Sequence, residues 1–105
     1  MKDQRADGSL TAAQRDAIEA ATAAVLDYRD GIAELPARPT AGLDEVVQRF
    51  RKPLAEEGQK EEDVIAHLVR QSADGLHQMS APSFFGYVLG GSHPIGVAAD
   101  MLVSG

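Results

Sequence analysis

Between Ile18 and Leu35 the apolar residues recur at alternating three- and four-residue steps: Ile18, Ala21, Val25, Tyr28, Ile32 and Leu35. That spacing draws one continuous stripe along an α-helix and predicts a first helix from about Ala12 to Ile32. Thr11, with Gln14 three residues on, has the form of a capping box at its start. Gly31 weakens its end, and the two prolines of "LPARPT" (Leu35 to Thr40) favour an extended connection. A shorter stripe, Leu43, Val46, Val47 and Phe50 in "LDEVVQRFRK", predicts a second helix that Pro53 stops. A third begins near "EEDVIAHLVR", where Glu61, Glu62 and Asp63 sit at the positive end of the helix dipole. Val64, Ile65, Leu68 and Val69 form its apolar face, and Gly75 suits its end.

The pattern then changes. "SFFGYVL" (Ser83 to Leu89) is short and aromatic, which reads as an extended segment. Gly90 and Gly91 give a turn with permissive backbone angles. Ser92 can cap a fourth helix, with Pro94 tolerated in its first turn. Ile95, Val97, Ala98, Ala99, Met101, Leu102 and Val103 make that helix apolar on nearly every side, the pattern of a helix covered from several directions. The reading is mainly α: a flexible N-terminus over residues 1–10, amphipathic helices over 11–81, and an aromatic, glycine-rich turn entering an apolar helix over 82–105.

Charge follows the same division. Every lysine and arginine lies at or before Arg70, and Asp100 is the one acid after Asp74. The formal net charge of −6 argues against a nucleic-acid or anionic-membrane surface, which needs a basic patch. The 105 residues allow one small domain, whose alanine-rich core leaves little reserve of stability. With no cysteine there are no disulfides and no thiol chemistry, which suits a cytoplasmic protein. No leader is expected from "MKDQRADGSL", which has no apolar core. Ile95 to Val103 is too short to cross a membrane.

Candidate chemistry is sparse. His67, His77 and His93 lack ligand spacing, and His67 reads as a solvated residue at a helix edge rather than a metal ligand. Ser92 and His93 are adjacent but have no acid to complete a triad. "GGSHP" opens either a phosphate- or carboxylate-binding turn or simply a tight entry into a buried helix. Phe84 and Phe85 read as core, while Tyr87 can line a pocket with ring and hydroxyl. Asp100 is expected to be buried with a partner, since so little else around it is polar.

The stretch "PSFFGYVLGGSHPIGVAADMLVSG", residues 82–105, resembles the N-terminal region of the group II pyridoxal-phosphate-dependent amino-acid decarboxylases, the family of the aromatic-L-amino-acid, tyrosine, histidine and glutamate enzymes. The likeness lies in the Phe-Phe-Gly-Tyr run, the Gly-Gly-Ser turn, the proline after it and the Ala-Ala-Asp helix. It is specific there and looser upstream, where the long helix, the proline-rich connection and the acidic helix start follow the same layout. The resemblance implies a parent of the α/β fold type I. That parent would release carbon dioxide from an L-amino acid through a pyridoxal 5'-phosphate Schiff base. It also implies a homodimer whose N-terminal segment crosses between subunits. Tyr87, Val88, Leu89 and Gly90 would line the substrate pocket, supported by Phe84, Phe85, Gly91 and Ser92. The wording "FFGYV" leans toward the aromatic branch.

Two departures accompany the resemblance. "SAPS" lacks the histidine that often precedes that proline. The pyridoxal lysine belongs far downstream, in a His-Lys pair, and Lys2, Lys52 and Lys60 have no such context. The expectation is therefore an N-terminal segment, inactive alone, of a carboxy-lyase. The alternatives from other classes are a self-standing helical dimerisation module and a small phosphate-binding domain.

Overall fold

The computed structural model describes residues 5–85 and 91–105. Four α-helices account for their regular structure, and no strand occurs among the described residues. The first, α1 (Ala12–Asp30), starts as its sequence predicts: the Gln14 amide donates to Thr11 Oγ1 at 3.1 Å and the Thr11 amide to Gln14 Oε1 at 2.9 Å. Its α-helical part stops two residues short of the expected Ile32. Gly31 donates to the Asp27 carbonyl, and the chain tightens into a 3-10 turn over Ile32–Glu34. The second, α2 (Leu43–Phe50), also ends early, because Arg51 leaves helical angles at φ −86 and ψ 76 before Pro53 is reached. The third, α3 (Glu61–Ser72), carries its three acids in the first turn as expected and continues into a 3-10 turn over Ala73–Gly75. The last, α4, spans Pro94–Ser104.

Packing centres on α1 against α3, with α2 laid on the C-terminal half of α3. Ala21, Ala24, Val25 and Tyr28 face Ile65, Leu68 and Val69 across a cleft of about 300 Å³. The apolar face expected for α3 is thus only half covered; Leu68 retains 51% of its exposure. The proline-rich connection lies along residues 74–78. Thr40 and Ala41 both donate to the Asp74 carbonyl, and Gln78 donates to that of Ala37.

Turns lead up to the segment expected to be extended, with Ala81 N–H bonded to Gln78 O and Phe84 N–H to Ala81 O, and residues 86–89 of that segment lie outside the described residues. Consecutive turns form because Pro82 fixes one backbone angle and "SAPS" has no alternating apolar pattern to pair with a neighbouring strand.

What is most telling is how little is buried. Among the described residues only Ile32, Ala81 and Gln78 fall in the buried class. The accessible area is 8565 Å², where a compact monomer of this mass exposes about 5,700 Å². The radius of gyration agrees: 16.4 Å, against roughly 13 Å for a compact chain of this length. α4 contributes to the excess. Expected to be covered from several directions, it leaves Ile95, Leu102 and Val103 exposed and only Val97 half-buried. Asp100, expected to be buried with a partner, is exposed on the same helix. Among the described residues, α1 alone borders it, across an open groove.

Candidate functional site

The turn that enters α4 is held by residues far away in sequence. Arg29, in the last turn of α1, donates from Nη1 to Ser92 Oγ and from Nη2 to the Ser92 carbonyl, each at 2.9 Å. Ser80 adds a third tie, its Oγ accepting from the Ser92 amide at 3.0 Å. Glycine is required beside it. A Cβ on Gly91 would sit 2.9 Å from Ser80 Cα and 3.0 Å from Ser80 Oγ, and a main-chain atom cannot swing aside. Gly91→Ala is therefore expected to separate residues 80 and 92. Exchange of the Ser92 amide should quicken about tenfold, equivalent to ~1.4 kcal/mol; unchanged protection would mean the turn tolerates the methyl group.

Ser92 does not cap α4, contrary to expectation. His93 does, its Nδ1 accepting from the Ile95 amide at 3.2 Å. Ser92 is drawn off by Arg29, and Pro94 then occupies the first helical position. The arrangement also bears on two readings of "GGSHP". Ser92 Oγ and His93 Nδ1 are each engaged elsewhere rather than with one another, so they form no nucleophile–base pair. Two N–H groups of Arg29 and the Ile95 amide are engaged within the chain.

Below this turn α1 and α4 diverge, leaving an open groove of about 570 Å³. Val25 and Leu26 form one wall, Val97, Met101 and Leu102 the other, and Arg29 and Asp30 close the end near Pro94. The sequence does not show this groove. Arg29 reads locally as a cation favourable to a helix C-terminus, and its partner lies 63 residues away.

Of the residues expected to matter, Tyr87, Val88, Leu89 and Gly90 lie outside the described residues. Phe84 is half-buried and meets the His77 ring edge-on, with centroids 6.1 Å apart. Phe85, expected to be core, is 91% exposed, since the turns at 78–84 aim it away from the helices. His67 is not the solvated residue its position suggests. It is half-buried with Phe50 edge-on at 6.4 Å, because α2 crosses α3 there. No group of three metal-ligating side chains converges among the described residues, and none of the described helices is long and apolar enough to cross a membrane.

The densest charge cluster lies on the α2–α3 side. Arg49 binds Glu45 at 2.9 Å, both carboxylate oxygens of Asp74, and the Gln71 carbonyl. Its hydrogen bonds to Asp74 hold that carboxyl below the ordinary aspartate range and raise the guanidinium further above neutrality. A depressed carboxyl contributes stability that is complete above its unfolded value and is lost as pH falls through its folded one. Wild type should therefore lose this contribution only below about pH 4. Asp74→Asn should remove it at every pH and flatten the acid limb of a urea-midpoint titration. Parallel acid limbs in the two proteins would show that the cluster adds nothing. The cluster has the geometry of a staple between α2 and the end of α3.

No protein-family model, curated protein or solved structure matches the chain.

Proposed function

We propose that this chain is the N-terminal segment of a pyridoxal-phosphate-dependent L-amino-acid decarboxylase. In that role it contributes dimer interface and part of the substrate pocket. One observation carries the reading. The motif that resembles the decarboxylases, residues 82–105, coincides with the most apolar uncovered surface of the chain, where Phe85, Ile95, Leu102 and Val103 are all more than 70% exposed. The chain exposes roughly 2,900 Å² more than a compact monomer of its mass, so surface is open to cover by further polypeptide. A large cofactor domain and a second subunit would supply that cover.

The described residues do not fit the cofactor themselves. Lys52 and Lys60 are exposed at the ends of the α2–α3 connection, and the open recess of about 260 Å³ beside Lys60 is lined by Ala13, Asp16 and Glu62, whose two carboxylates would repel a phosphate. The chain alone is thus expected to form no stoichiometric pyridoxal chromophore and to release no carbon dioxide from aromatic amino acids. Turnover above a buffer blank would overturn the proposal.

The pocket assignment is tested in the intact enzyme. Tyr87→Ala removes an aromatic contact and should weaken substrate affinity by about 1–3 kcal/mol. Gly90→Val should cost more, since a β-branched residue is poorly tolerated in a turn needing permissive angles. Cofactor absorbance should survive both. Wild-type catalytic efficiency in both variants would leave the stretch a scaffold. Loss of the dimer with the cofactor retained would favour the dimerisation role.

A further inference from the structure

We propose that His93 makes α4 a pH-gated helix, folded when its imidazole is neutral and released when it is protonated. The bond from the Ile95 amide requires Nδ1 to be the unprotonated ring nitrogen. Protonation converts this acceptor into a donor, so the cap is lost. It also places a positive charge at the positive end of the helix dipole.

Three features leave α4 dependent on that one bond. It has 11 residues, a length at which a helix lacking tertiary support is marginal, and Gly96 in its first turn lowers its propensity further. No acid lies in that turn to offset the dipole. Tertiary support is slight, for α4 leans on the rest of the chain mainly through the Ser92 ties and one side of the α1 groove.

The charged groups at that end are Arg29 and Asp30 of α1. Arg29 is committed to Ser92 and adds to the repulsion of an imidazolium, while Asp30 opposes it. Asp100, on α4 itself, lies two turns further along. Histidine is the residue type that changes charge between about pH 5 and 8, and that is the range over which the device is tested. When α4 unwinds, the wall of Val97, Met101 and Leu102 goes with it, and the groove opposite Val25 and Leu26 is dismantled. The device operates where α4 is uncovered, as it is in this chain by itself, and does not rest on the decarboxylase reading.

The test is far-ultraviolet circular dichroism of the full chain at micromolar concentration, from pH 7.5 to 5.0, with two variants. Wild type should lose about a fifth of its helical signal, the share of α4 among the four helices. His93→Asp supplies a carboxylate cap that stays ionised over this range and favours the dipole. Its signal should remain flat. His93→Ala should show the reduced signal already at pH 7.5. A flat wild-type profile would overturn the proposal. So would an equal loss in His93→Asp, which would place the effect at His67 or His77, or a His93→Ala signal equal to wild type at pH 7.5.

Discussion

The isolated 105-residue chain is expected to elute as a dimer or larger species at tens of micromolar, well above its monomer mass of 11.1 kDa. Ile95 at 73% exposure, Leu102 at 83% and Val103 at 84% share one short helix, and Phe85 adds a ring that is almost wholly free. A monomer seldom leaves so much apolar surface contiguous and uncovered. The double substitution Leu102→Glu and Val103→Glu should restore the monomer. Each side chain stands to gain roughly 1.5–3 kcal/mol on burial, so losing both weakens association by about a hundredfold or more. Sedimentation velocity on the two proteins decides. A wild-type monomer at every concentration, with a sharp cooperative melt, would mean the apolar face is tolerated in water.

The second large effect is expected at Gln78, one of three buried residues among those described and the least exposed of them at 3%. Its Oε1 accepts from the Tyr28 hydroxyl of α1, its Nε2 donates to the Leu76 carbonyl, and its backbone amide reaches Ala37. Three separate segments therefore meet at one residue. Tyr28→Phe strands the buried Oε1, a loss of about 1–3 kcal/mol. In a domain this size that lowers the melting midpoint by roughly 4–8 °C for each kcal/mol. Gln78→Ala should do more, since it breaks the junction and leaves a cavity. The pair Tyr28→Phe with Gln78→Leu removes donor and acceptor together and should be less harmful than Gln78→Ala alone. If Tyr28→Phe, Gln78→Leu and their double add like independent sites, the hydrogen bond does not join α1 to residues 76–78.

What the sequence told correctly was local. Thr11 and Gln14 specify the start of α1 through bonds three residues apart, and Glu61 to Asp63 mark the start of α3 by the dipole alone. Those signals need no knowledge of the rest of the chain. Several misreadings depended on distant partners. Ser92 was expected to cap α4 because serine is the better cap in isolation, but Arg29 competes for it from across the fold. His67 looked solvated until α2 brought Phe50 to it. Asp100 and most of the apolar face of α4 are exposed among the described residues, against the expectation that they are covered. Composition reveals that a surface wants burial, but not which polypeptide buries it. The junction at Gln78 was invisible for the same reason, since its three partners belong to three segments.

One measurement bears most directly on the proposal that a pyridoxal enzyme carries this chain as its N-terminal segment. The native polypeptide containing this sequence is purified from its source, and its intact mass and visible absorbance are recorded together. A mass far above 11.1 kDa is predicted, with one pyridoxal chromophore per subunit that borohydride fixes to a lysine outside these 105 residues. A native polypeptide of 11.1 kDa without a chromophore would contradict it.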